Sequence, residues 1–179
     1  MKRFRLAAAA VVAGLTAAVA VPASPASAAT GTPRITATRT VQYHCVEPPY
    51  PDAETAFDVT FSAPVLVLKG TTIDVTATVK ATTAIPIDVP ANGVAARVEV
   101  VIGGTESGSV YAEGLTNSAL VPAGELMKLT GGVAHVPTTR AGVLTFTPGI
   151  FESTNWLGQH LVCTPTETPA IASVTVVVG

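Results

Sequence analysis

Apolar and polar residues alternate strictly over several stretches of the chain. Phe57, Val59 and Phe61 are interleaved with Asp58, Thr60 and Ser62. Ile73, Val75, Ala77 and Val79 are interleaved with Thr72, Asp74, Thr76 and Thr78. Ala96, Val98, Val100 and Ile102 flank Arg97 and Glu99. A period of two sends successive side chains to opposite faces of a strand, so each stretch predicts a sheet with one buried and one wet face. Residues 41–46 repeat the pattern, with Val41, Tyr43 and Cys45 on one face and Gln42 and His44 on the other. Further strands are predicted at 109–115, 125–129, 133–136, 142–147, 159–164 and 173–178. Turn residues separate them: Asn92-Gly93, the glycine-rich 103–108, Pro122-Ala123-Gly124, Gly131-Gly132, Pro148-Gly149 and Pro165. The segment 85–90 carries Pro86 and Pro90, which cannot donate to a ladder, and reads as an edge or a connector. About ten short strands without intervening helical runs predict a single all-β domain, an immunoglobulin-like or Greek-key sandwich.

The first 28 residues follow a different logic. Lys2, Arg3 and Arg5 precede an uncharged apolar run from Leu6 to Val21, and Ala26-Ser27-Ala28 supplies a small-x-small cleavage pattern. This is the form of an export signal, and the run is short and alanine-rich for a membrane span. The expected organisation is a signal peptide at 1–28, an N-terminal arm at 29–40 and the sandwich at 41–179, secreted to the cell exterior with no membrane span in the mature chain.

Charge narrows the partners. The whole chain has ten basic and twelve acidic residues. Removing Lys2, Arg3 and Arg5 leaves seven against twelve, about −5 by this count. A mildly acidic protein without a basic cluster is poorly suited to nucleic acid, where phosphate neutralisation supplies much of the affinity. The expected partner is an extracellular protein or a polysaccharide.

Two cysteines, Cys45 and Cys163, lie near the two ends of the predicted sandwich. In an exported chain two thiols pair, so a structural disulfide joining two strands is expected. The Tyr43-His44-Cys45 opening, the threonine/valine strands and the closing Cys163-Thr164-Pro165 before a valine strand resemble a family of secreted actinobacterial domains of unknown function. That resemblance implies an immunoglobulin-like sandwich with one end-to-end disulfide, and no activity.

Candidate chemistry is thin. Gly104-Thr105-Glu106-Ser107-Gly108 has the wrong spacing for a nucleophile elbow and is followed by a strand, so it reads as a turn. His44 and His160 adjoin the cysteines in sequence, but alternation turns them to the opposite face from the thiols, so a mixed zinc site is not expected. The two histidines could meet as a weak surface pair; His135 reads as partly buried. No cofactor and no metal are expected. The one recognition candidate is the segment 151–157, which reads as a loop between turn residues, with Phe151, Asn155 and the sole tryptophan, Trp156; exposed aromatics beside polar side chains suit sugar or protein recognition, and Trp156 could alternatively plug the core. The expected function is a non-catalytic extracellular structural or interaction module. The alternatives are a small extracellular hydrolase and a carbohydrate-binding module.

Overall fold

The computed structural model describes residues 32–167 and 170–177. The expected signal peptide lies outside the described residues. Ten strands appear in chain order: β1 (Arg34–Val46), β2 (Ala53–Pro64), β3 (Leu66–Leu68), β4 (Thr72–Ala81), β5 (Val94–Gly104), β6 (Gly108–Thr116), β7 (Lys128–Pro137), β8 (Gly142–Asn155), β9 (His160–Pro165) and β10 (Ala172–Val177). There is no helix among the described residues. The all-β expectation holds.

The strands belong to one sheet, ordered β3-β10-β8-β5-β6-β7-β4-β2-β1-β9. Residues 151–154 of β8 also pair with β9, so eight of the strands form a closed circuit around one core. All pairings between these strands are antiparallel except β3 with β10, which is parallel. β5, β6 and β7 are successive hairpin strands, and β4, which precedes them, lies beside β7. The 82–93 connection therefore crosses over them, a Greek-key step. It is held by the Val89–Val121 bridge and by buried Asn117, whose side chain donates to the Pro90 and Ala119 carbonyls and accepts from Val94 N.

The alternating residues do what the pattern predicts. Val41, Tyr43, Val59, Phe61, Val75, Val98 and Val100 are all buried. Opposite stretches of the sheet face each other across this core. Phe57 of β2 packs on Tyr43 of β1 at 5.6 Å and on Phe151 of β8 at 5.1 Å between ring centres. The Tyr43 hydroxyl donates to the Gly149 carbonyl at 3.2 Å, again from β1 to β8. Burial pushes the Tyr43 pKa well above its ordinary value, so the hydroxyl keeps its proton. Cys45 and Cys163 stand directly opposite each other on β1 and β9 and form the expected disulfide.

Three expectations change. Residues 34–40 belong to β1 and pair with β2 over their whole length, so more than half of the predicted arm is strand. Gly131-Gly132 and Pro148-Gly149 are not turns. Each sits inside a long strand at a bulge, where two residues oppose one on the neighbour. Gly131 needs its φ of +90°, and a Cβ on Gly132 would meet Leu115 at 2.8 Å. Pro148 is tolerated for a positional reason. The Phe146 carbonyl accepts from Ile171 N on the β10 side, and alternation aims Pro148 N the same way. There, between β10 and β9, no strand pairs with β8 among the described residues, so the missing donor is not needed.

Candidate functional site

The outer face of β6-β5-β8-β9 is shaped by two bulges, the β8 bulge and a further one in β6. In β6, Glu113 and Gly114 together oppose Arg97 of β5. In β8, Gly149 and Ile150 oppose Glu99. The Glu99 carboxylate accepts from Ile150 N at 3.1 Å, and a Cβ on Gly149 would overlap the Glu99 side chain. The bulges turn the outward residues of three strands toward one another.

Arg97 is the centre of the result. Its Nε and Nη2 both donate to Glu152 Oε2, at 2.9 and 2.7 Å, and its Nη1 donates to Glu113 at 3.3 Å. The guanidinium lies 4.3 Å from the centre of the Tyr111 ring, a stacked cation–π arrangement. The Tyr111 hydroxyl donates to the other Glu152 oxygen at 3.4 Å. Hydrogen bonding to Glu152 holds the Arg97 pKa above its already high value. Burial, then the Glu152 charge, raises Tyr111. The four side chains thus lock one another into a fixed polar floor. Beside them a groove of about 410 Å³ is lined by Ala95, Ala96, Leu115, Ser153, Thr154 and His160, among others.

The β8–β9 hairpin closes the upper end of this face. Asn155 fixes its turn: Oδ1 accepts from Leu157 N and Gln159 N at 3.0 and 3.1 Å, and Nδ2 donates to Gln159 Oε1 at 2.7 Å. Gln159 in turn donates to the Tyr50 hydroxyl at 2.8 Å. Trp156 and Leu157 form the tip, 40% and 63% exposed, and Tyr50 is 55% exposed.

The three nominated residues of 151–157 therefore separate. Phe151 is 2% exposed and belongs to the core, not to a surface loop. Asn155 is a turn-former. Trp156 alone presents itself to solvent; it does not plug the core. Residues up to Asn155 are strand, and only 156–159 turn.

The histidines also separate. His44 opposes Thr164 on β9, whereas His160 opposes Thr154 on β8 and bonds to it at 3.2 Å. Four residues along β9 separate their positions on the sheet by about 13 Å, and each is bonded to a different neighbour. His135 is exposed, not partly buried, and bonds to Asp74 at 2.7 Å. His44 sits between Glu54, 2.9 Å from Nδ1, and Asp52, 3.4 Å from Nε2. The Glu54 hydrogen bond raises its pKa above 6.5, with smaller help from Asp52. The stabilising pair is complete below the unfolded-state value of about 6.5 and is lost as pH rises through the higher folded value. A proton-NMR titration of His44 should give a midpoint above 6.5, and Glu54→Gln should lower it; an unchanged midpoint in the variant contradicts the pairing.

Sequence reading missed the Arg97 network and Tyr50. Alternation put Arg97 and Glu99 on the outer face, but Glu152 lies 55 residues away in a segment read as loop. Among the described residues no group of three or more histidine, cysteine or carboxylate side chains is arranged to hold a metal ion. No helix of the described residues is long and apolar enough to cross a membrane. Compared with known proteins, the chain matches no family model and no curated protein.

Proposed function

We propose that the chain is a secreted, non-catalytic interaction module that contacts its partner through the Trp156–Leu157 tip and the adjoining groove. The observation that carries this reading is the exposed tryptophan on a hairpin whose conformation Asn155 and Gln159 fix. An exposed aromatic side chain on a hairpin of fixed backbone has less backbone ordering entropy to lose on binding and much apolar area to cover. The locked Arg97–Glu152–Tyr111 floor adds directional polar groups that need no rearrangement. The disulfide supports an oxidising, extracellular setting, as does the resemblance to secreted actinobacterial domains.

Carbohydrate is the partner chemistry best suited to this combination, since sugars take stacking on an aromatic face together with hydrogen bonds to hydroxyl and carboxylate groups such as Ser153, Thr154 and Glu113. Hydrolysis is less well supported. A glycosidase needs two carboxyl groups facing across the scissile bond, and Glu113 and Glu152 are both turned onto one guanidinium.

Trp156 is the sole tryptophan, so its fluorescence reports the tip alone. Titration with chitin oligosaccharide, cellulose oligosaccharide and solubilised bacterial cell-wall polysaccharide should give a saturable emission change for one of them, without release of reducing ends. Release of reducing ends would move the protein to the hydrolase class; no saturable change with any of the three would remove carbohydrate as the partner.

A further inference from the structure

We infer that the N-terminal half of β1 is a docking edge for an extended peptide segment of another protein that carries a carboxylate opposite Arg39. β1 pairs with β2 from Arg34 to Cys45, but on its other side it pairs with β9 only from Tyr43 to Val46. The Gln42 carbonyl accepts from Thr166 N on that second side. Because successive residues of a strand aim their amides in opposite directions, the N–H and C=O groups of Thr36, Thr38 and Thr40 point to the same side as those of Gln42. Among the described residues no strand pairs with them.

The side chains tell the same story. Ile35, Ala37 and Arg39 share the inward parity of Val41 and Tyr43. Val41 and Tyr43 are fully buried, whereas Ile35 is 37% exposed, Ala37 is partly exposed and Arg39 is exposed. Among the described residues no strand therefore covers this stretch of the sheet, between β1 and the β10–β3 edge. Edges of this length are normally shortened, bulged or broken by proline; here the run is Thr36-Ala37-Thr38-Arg39-Thr40, regular and rich in β-branched residues. An added strand would satisfy three pairs of backbone groups and cover Ile35 and Ala37, the ordinary form of strand addition. Charge selects its chemistry. Strand β1 carries Arg34 and Arg39 and no carboxylate. Arg34 is occupied by the Ser62 and Asp74 carbonyls. Arg39 makes no ion pair among the described residues, and its one hydrogen bond, to the neighbouring Thr38 carbonyl, is long at 3.4 Å.

The test uses the full folded chain and two seven-residue peptides of alternating valine and threonine, one with a central glutamate and one with a central lysine. Amide hydrogen exchange, residue by residue, should find Thr36, Thr38 and Thr40 fast in the free protein while Ala37, Arg39 and Val41, bonded to β2, are slow. The glutamate peptide should slow the three threonine amides about tenfold or more, and bind about fivefold more tightly than the lysine peptide, the factor an exposed ion pair supplies. Arg39→Glu should reverse that preference. Thr38→Pro, which removes a donor only from the open side, should weaken binding without disturbing the β2 ladder. Threonine amides already protected in the free protein would show that the edge is covered and would overturn the inference. So would equal or absent binding of the two peptides, which would make Arg39 an inward-pointing charge that guards the edge.

Discussion

Replacing both cysteines, as Cys45→Ala with Cys163→Ala, is expected to lower the stability of the domain by roughly 5 kcal/mol. The disulfide spans 118 residues, and closing so long a loop removes much of the freedom of the unfolded chain. The native contribution adds to this. Both sulfurs are buried, and they tie β1 to β9 at the point where the circuit of strands closes through β8. A typical domain has only about 5–15 kcal/mol in total, so the doubly substituted chain should populate unfolded forms at moderate denaturant. Equilibrium denaturation of the two proteins checks this; a difference below about 2 kcal/mol would mean that the closure through β9 holds without the bond.

The second large effect is expected at Phe151. Its ring packs on Phe57, which packs on Tyr43, so three aromatic side chains from β8, β2 and β1 form one stack through the middle of the core. Phe151→Ala should cost about 3–5 kcal/mol, the range for emptying a buried aromatic site. The same residue lies beside the β8 bulge, where the Tyr43 hydroxyl meets Gly149, so collapse of the cavity would also disturb that hydrogen bond. A melt within about 1 kcal/mol of the wild type would show that Phe151 is not the core residue its burial indicates.

How far the sequence carries can be seen at these positions. Period-two alternation identified the inward residues of β1, β2, β4 and β5, because a strand with one wet face writes its orientation directly into side-chain polarity. The disulfide followed from compartment and from the position of the two cysteines. Alternation failed where glycine or proline interrupts it. Gly131-Gly132 and Pro148-Gly149 look like turns because the same residues serve turns and bulges, and the choice between the two depends on the neighbouring strand, which local sequence does not contain. The 151–155 stretch reads as loop for the same reason, which puts Phe151 on the surface. The Arg97–Glu152–Glu113–Tyr111 network is a product of register between β5, β6 and β8. Each member is an ordinary outward residue on its own strand, and only the pairing brings them together.

The central claim is that Trp156 is a contact group and not a core group, and one paired comparison tests it most directly. Wild type and Trp156→Ala are carried through denaturant melts and through co-sedimentation with insoluble bacterial cell-wall polysaccharide. The variant is expected to lose no more than about 0.5 kcal/mol of stability, as a surface truncation does, while its binding falls about tenfold or more, as at a recognition anchor. A loss of 3 kcal/mol or more, on the scale of an emptied core site, or undiminished binding by a stably folded variant, would contradict the account.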